Sequence, residues 1–306
     1  MSRRLVSDRS GVLVIDKPCG LTSHDVVARV RRIMNTRRVG HAGTLDPMAT
    51  GVLVVMVGQA TKLAPFLTRE DKGYAATLRL GISTDTLDAD GTVTEQTPLP
   101  DWWGAARHTN DAIEGALDHE RARTTQQPPL YSAIKVDGRA AYARARAGQT
   151  VELAQRPVQV HQLTVAGWRS DPAEIDLELR VGKGYYVRAL ARDVGVHLGV
   201  ASHLTRLRRL SSGCFKLDAA APLSAIDADP EAHLIDLVNA AAMALPTAVL
   251  TENGEIRTRH GAALTSDDFD RDPPEGTSAW LNGAGKLVAI GTQNDGEIRV
   301  VRGFSQ

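Results

Sequence analysis

The sequence predicts an α+β fold: one large domain that mixes strands with helices, followed by a small β domain. Three observations carry this expectation. Short β-branched apolar runs (Val12 to Ile15, Val52 to Val57) and an alternating run (Tyr74, Ala76, Leu78, Leu80) have strand character. Between and after them, Val26, Val27, Val30 and Ile33 recur at helical spacing, and Ala189 to Leu198 reads as a further helix. Near Leu245-Pro246 the composition shifts to a Gly-rich chain broken into short apolar runs. At 306 residues and 42% hydrophobic, the chain is long enough for a large domain over 1–245 and a small one over 246–306.

Val12 to Ile15 closes at Asp16-Lys17-Pro18-Cys19-Gly20, so the first strand ends in a turn. Thr22, with Asp25 three residues on, is a capping signal for the helix that ends near Asn35. Val52 to Val57 does not alternate, which predicts a strand buried on both faces, and Gln59 to Phe66 reads as a short helix. The strand at Tyr74 to Leu80 ends at Gly81. The acidic stretch Thr84 to Gly91 lacks the ligand spacing and terminal Glu of an EF-hand loop, so a turn with structural acids is expected. Thr124 to Lys135 is extended and proline-marked, and Arg139 to Ala147 reads as a basic helix. Such a segment is either an arm over a substrate or an ordinary surface excursion. Leu177 to Val181 alternates as a strand and leads into Gly182-Lys183-Gly184-Tyr185-Tyr186-Val187-Arg188, whose residue order is not that of a P-loop. In the tail, Asn282-Gly283 and Asp295-Gly296 are hairpin turn signals between Ala279 to Leu281, Leu287 to Ile290 and Ile298 to Val301.

Lys plus Arg and Asp plus Glu both total 36, so only the distribution of charge is informative. Arg29, Arg31, Arg32, Arg37 and Arg38 form an acid-free stretch, and Arg206, Arg208 and Arg209 form a second cluster. Each is either a phosphate footprint or a solvated face. Cys19 and Cys214 are far apart without CxxC spacing, which indicates neither a disulfide framework nor a zinc site. No apolar run approaches the ~20 residues of a membrane span, and the N-terminus leads into no apolar signal. The expectation is a soluble, unprocessed cytoplasmic protein.

Gly40-His41-Ala42-Gly43-Thr44-Leu45-Asp46-Pro47 presents a lone carboxylate on a shaped loop between the basic stretch and a buried strand. Asp46 is either a turn residue before proline or a working carboxylate. The second role calls for a nearby cation, and Arg188 is available on its glycine-flanked strand. Tyr74, Tyr185 and Tyr186 offer faces for stacking on a base or for core packing, and His41 either holds the loop or touches a phosphate. Among the motifs absent are HExxH, GxGxxG and the Walker pattern, which weakens metalloprotease, dinucleotide and NTPase readings.

Gly40 to Gly51 (GHAGTLDPMATG) resembles the catalytic motif of the TruB family, the bacterial tRNA pseudouridine-55 synthases. Leu13 to Pro18, Gly58 to Lys62, Thr84 to Gly91, Pro128 to Lys135, Lys183 to Arg188 and Leu204 to Phe215 resemble further family segments in family order. The resemblance implies a pseudouridine synthase fold, with a central mixed, mostly antiparallel sheet flanked by helices and a small C-terminal PUA-like β-barrel that binds RNA. It also implies isomerisation of uridine 55 in the tRNA T-loop, without cofactor or metal, by a protein expected to act as a monomer. Asp46 would be the nucleophile. Tyr74 would stack on the flipped base and assist proton removal, and Arg188, with Asp88 as second partner, would hold Asp46. Tyr186 would pack beside the base, and His41 would insert into the T-loop. Lys17 and Lys62 would shape the motif's surroundings or meet the RNA. The arm at about 124–150 would be the family's thumb. The sequence departs from the family pattern at Tyr185, where a small or polar residue is expected. Two other functions remain open to the same residues. One is RNA binding or tRNA folding without essential catalysis; the other is carboxylate-based hydrolysis that releases free uracil and needs a second acid, for which Asp88 is the candidate.

Overall fold

Two strands sit at the centre of the molecule because both of their faces are apolar. The computed structural model describes residues 9–132, 134–136, 139, 140, 144 and 153–305. Strand β1 (Gly11–Lys17) pairs antiparallel with β3 (Thr50–Val57) from Gly11↔Val57 to Lys17↔Gly51. Leu13, Ile15, Leu53, Val55 and Val57 point into one core, and Val12, Val14, Val52, Val54 and Met56 into another. The non-alternating apolar runs therefore belong to a sheet covered on both sides.

Between these strands lie helix α1 (Ser23–Ile33) and strand β2 (Val39–Ala42), and β2 pairs antiparallel with β3. Helix α1 starts at a full capping box between Thr22 and Asp25 and buries Val26, Val27 and Val30. The sheet continues with β4 (Lys72–Leu80), β5 (Val160–Ser170), β6 (Ala173–Val181) and β7 (Ser202–Ser212). Its order is β5-β6-β4-β7-β3-β1, extended by Ala221–Pro222. Only β7 with β3 and β1 with Ala221–Pro222 pair in parallel along that path, so the sheet is mixed and mostly antiparallel. Helices α1, α2 (Ala106–Arg121) and α3 (Val187–Leu198) cover the first core; Ile113, Ala116 and Leu117 come from α2 and Leu190, Ala191 and Val194 from α3.

A separate four-stranded sheet ends the chain: β8 (Thr247–Val249), β9 (Gly276–Leu281), β10 (Leu287–Asn294) and β11 (Glu297–Gly303). It has a small core of its own around Trp280, Phe269, Val288 and Ile298. Ala279, Leu287, Ile290 and Phe304 instead join the second core of the large sheet, so the tail is packed onto the outer face of β1 and β3. At the β10–β11 turn, Asp295 and Gly296 both have positive φ (50° and 81°), the geometry of a tight primed hairpin.

Three expectations are corrected. Gly58–Leu63 is a 3-10 helix, followed by one α turn at Ala64–Leu67, because Pro65 sits where an α-helix can only begin. Lys135–Val136 pairs antiparallel with Arg139–Ala140, so Arg139 starts in a strand rather than a helix. Beyond Ala140 the expected helix lies, except for Arg144, outside the described residues, and with it much of the arm at about 124–150. The cluster at Arg206, Arg208 and Arg209 is no open basic stripe: Arg206 pairs with Glu174, Arg208 forks onto Asp16, and Arg209 is buried. No helix among the described residues is long and apolar enough to cross a membrane.

Candidate active site

Asp46 lies in the connection between β2 and β3, and the backbone of that connection is held almost residue by residue. The Arg209 guanidinium donates to the carbonyls of Gly43 (Nη2, 3.0 Å), Thr44 (Nη1, 3.4 Å) and Val52 (Nε, 2.6 Å). Ser23 Oγ accepts from the Leu45 N–H at 2.8 Å and donates to the Leu45 carbonyl at 3.2 Å. Lys17 Nζ donates to the carbonyls of Pro18 (2.9 Å), Leu21 (2.7 Å) and Pro47 (3.1 Å). Buried main-chain carbonyls need partners, and two buried cations and one hydroxyl provide them here. Gly43 turns the loop with φ at 84°, and Gly51 (φ 96°) closes it: a Cβ there would lie 2.2 Å from the Arg209 carbonyl oxygen. Gly40 belongs to strand β2.

The Asp46 side chain remains 30% exposed at the opening of this loop, facing an Arg188 side chain that is only 6% exposed. Arg188 Nε donates to Asp46 Oδ2 at 2.9 Å and Nη2 to Oδ1 at 3.0 Å, a bidentate pair that fixes the plane of the carboxylate. Two of its further N–H groups donate to the carbonyls of Thr86 (Nη1, 2.8 Å) and Tyr131 (Nη2, 2.9 Å). Asp88 Oδ2 stands 3.5 Å from Arg188 Nε, and its other oxygen accepts from Thr86 Oγ1 at 2.6 Å and the Asp90 N–H at 3.2 Å. Burial raises the Asp88 carboxyl above its ordinary range, against the pull of Thr86 and Arg188. Arg188 sits in the first turn of α3 and not on an extended segment, because Tyr186 ends the extended chain as the N-cap.

Residues 31–187 match the TruB family pseudouridylate synthase (N terminal domain). The tRNA pseudouridine synthase B of Mycobacterium sp. (strain KMS) is 49% identical over 263 residues, covering 85% of this chain and 86% of that protein. That of Dinoroseobacter shibae is 44% identical over 302 residues, covering 96% and 95%. The chain belongs to the TruB family of pseudouridylate synthases. A solved chain from a Cbf5-Nop10-Gar1 complex superposes with a TM-score of 0.72 at 24% identity, covering 96% of this chain and 85% of that one, which shows the shared fold.

Around the Arg188–Asp46 pair the remaining candidates take different places. Tyr74 is 9% exposed on β4 and belongs to the same apolar cluster as Leu45 and Met48, which flank Asp46; it stands opposite Arg209 of β7. The adjacent tyrosines are sorted by the N-terminus of α3. Tyr185 is buried among Glu120, Arg123 and Asp193, and burial drives its phenol well above the ordinary value. Tyr186 is half-buried, its phenol raised first by burial and also by Asp46, with Arg156 and Arg188 opposing, so it lies within electrostatic reach of the ion pair. His41 is half-buried on β2, edge-on to His24 at 5.5 Å between ring centroids. Burial, with His24 and Arg209 adding to it, lowers the His41 imidazole to about 4, so it stands in the site as a neutral ring.

Lys17 is fully buried with its donors on three carbonyls, so it holds the loop and has no surface from which to meet a ligand. Lys62 lies at the seam with the C-terminal sheet. Its Nζ donates to the Gly303 carbonyl (2.8 Å) and Gln59 Oε1 (3.1 Å) and sits 5.1 Å from the Phe304 ring centroid. Lys72, beside Gly43, is lowered to about 8 by burial and by Arg209. Among the described residues no group of three or more His, Cys, Asp or Glu is placed to hold a metal ion. Ser23 and Arg209, which hold the Asp46 loop, and Gln126, which bonds the Tyr186 main chain, make contacts that local sequence patterns do not reveal, and Arg209 stands out in sequence only as one of a basic cluster. Their partners lie 22, 157 to 166 and 60 residues away in the chain, and a spacing rule reaches only along one element.

Proposed function

We propose that the protein isomerises uridine 55 of the tRNA T-loop to pseudouridine, with Asp46 as the nucleophile. The observation that carries this is the bidentate Arg188–Asp46 pair at the mouth of a backbone-clamped loop, in a chain whose relatives are named tRNA pseudouridine synthase B. The carboxylate helps break the C1′–N1 bond of a flipped uridine. The freed uracil turns within the pocket, a C1′–C5 bond forms, the C5 proton leaves, and N1, which keeps the electron pair of the broken bond, takes up a proton. Tyr74 stacks on the base and assists that proton removal. Arg188 and Asp88 hold Asp46 in place, and Tyr186 packs beside the ring. The neutral His41 inserts into the space vacated by the extruded nucleotides. The interactions with RNA offset an unstacking cost of a few kcal/mol.

Lys17 acts by shaping the loop, and Lys62 by joining the catalytic part to residues 246–306, which we read as a PUA-like RNA-binding domain following the catalytic domain at 1–245. The described part of the segment at 124–150 is the root of the thumb. The exposed Arg29, Arg32, Arg37 and Arg38 supply phosphate contacts. The protein works as a cytoplasmic monomer.

Pseudouridine-specific chemical mapping of a tRNA transcript before and after incubation tests the reading. Wild-type protein should give one new signal in the T-loop, and Asp46→Asn should give none while still binding the RNA. Normal turnover by Asp46→Asn would overturn the nucleophile, and release of free uracil would replace isomerisation by hydrolysis.

A further inference from the structure

Gln126 is 1% exposed on the two-residue strand Thr125–Gln126, at the start of the proline-marked segment, where the chain pairs with Arg156–Pro157. Its side-chain amide takes both main-chain groups of Tyr186: Oε1 accepts from the Tyr186 N–H at 2.8 Å, and Nε2 donates to the Tyr186 carbonyl at 3.2 Å. This is the two-bond exchange that an adjacent strand would make, supplied by one side chain. Tyr186 is the N-cap of α3, is extended (φ −112°, ψ 111°), and has no cap from its own side chain. Arg188 follows two residues later. The same segment meets α3 twice more, where the Gln127 carbonyl accepts from Arg192 Nη2 at 3.2 Å and the Tyr131 carbonyl accepts from Arg188 Nη2 at 2.9 Å.

A residue needed only to fill this buried space would be apolar, since an amide loses its hydration on burial. A residue needed only to satisfy a helix N-terminus would be a short cap such as Ser or Asp. An amide bonded at both ends does something further: it fixes the rotation of the Tyr186 backbone, and with it the direction in which Tyr186 and Arg188 leave the chain. We propose that Gln126 is a positioning residue for the isomerisation, setting the Tyr186 ring and the Arg188 guanidinium against Asp46. The inference rests on the roles given to Arg188 and Asp46 under the proposed function.

The test uses the full chain and a T-loop stem-loop transcript, with single-turnover rates at saturating enzyme, RNA dissociation constants and thermal midpoints. Gln126→Met should slow the single-turnover rate by roughly 10- to 100-fold while the dissociation constant changes less than about 3-fold. Gln126→Glu separates positioning from mere support. Its ionised carboxylate accepts from the Tyr186 N–H but cannot donate to the carbonyl, whereas the protonated acid does both. The rate of Gln126→Glu should therefore fall below wild type where its carboxyl is ionised and recover relative to wild type as pH falls through the pKa of that carboxyl. A wild-type rate in folded Gln126→Met, or a wild-type rate in Gln126→Glu with its carboxyl ionised, would overturn the proposal. If Gln126→Met does not fold, the Gln126→Glu profile decides alone. Asp46→Asn assayed alongside distinguishes the two layers. An active Asp46→Asn overturns the site reading itself, whereas an inactive Asp46→Asn beside a wild-type Gln126→Met overturns only the role of Gln126.

Discussion

Arg188 meets Asp46 edge to edge, with Nε on Oδ2 at 2.9 Å and Nη2 on Oδ1 at 3.0 Å, while Asp88 stands 3.5 Å behind on the same Nε. One guanidinium thus joins the β2–β3 loop, the 84–91 turn and the first turn of α3, elements from three distant parts of the chain.

Replacing Arg188 should damage chemistry more than binding. Arg188→Lys keeps a charge but loses the planar fork, and leaves carbonyls of Thr86 and Tyr131 without their donors. Turnover should fall by about 100-fold or more in Arg188→Ala, with RNA affinity within about 3-fold of wild type. Equal losses in rate and affinity, measured by single-turnover kinetics and filter binding, would move Arg188 from the carboxylate to the RNA.

Arg209 should carry stability as well as activity. Arg209→Met leaves the carbonyls of Gly43, Thr44 and Val52 without their guanidinium partner in a site that is 1% exposed. A loss on the order of 2–4 kcal/mol is expected in denaturant unfolding. An unchanged midpoint with unchanged slope would show that the loop does not depend on it.

His41 gives the protein a pH dependence of known sign. The imidazole is lowered from its ordinary 6.5 to about 4 by burial, so between these values the unfolded chain binds a proton that the fold does not. Its contribution is full above the unfolded value and is lost as pH falls through the folded one, by on the order of 3 kcal/mol. Thermal midpoints of wild type and His41→Phe should therefore diverge across this window and run parallel above it. Parallel curves throughout would remove His41 as the cause.

The exposed arginines of α1 and the turn after it should act through charge alone. Arg29→Ala, Arg32→Ala and Arg38→Ala should each weaken RNA binding and lower the slope of log affinity against log salt by about 1. An unchanged slope returns that arginine to the solvated face.

The sequence by itself determined the elements whose information is local. The capping box at Thr22 and Asp25 starts α1, the two-sided apolar run at Val52 to Val57 makes a central strand, and the Asp295-Gly296 dipeptide makes the last hairpin. The motif around Asp46 also singled out the loop. Helix α2 left little trace, because Ala, Thr and Glu share its buried face with only Ile113 and Leu117. Nor did spacing distinguish Tyr185 from Tyr186, which only the turn into α3 sorts into different charged surroundings. The arginines at 206, 208 and 209 read alike as a basic cluster, yet the register of β7 puts one on Glu174, one on Asp16 and one inside the Asp46 loop. Local periodicity follows from bonds between near neighbours, and a sequence window contains it. The pairing of Arg188 with Asp46 across 142 residues, and of Gln126 with Tyr186 across 60, exists only once β4, β7 and β3 are in register and α3 has packed on them, because burial decides which donors must find which acceptors.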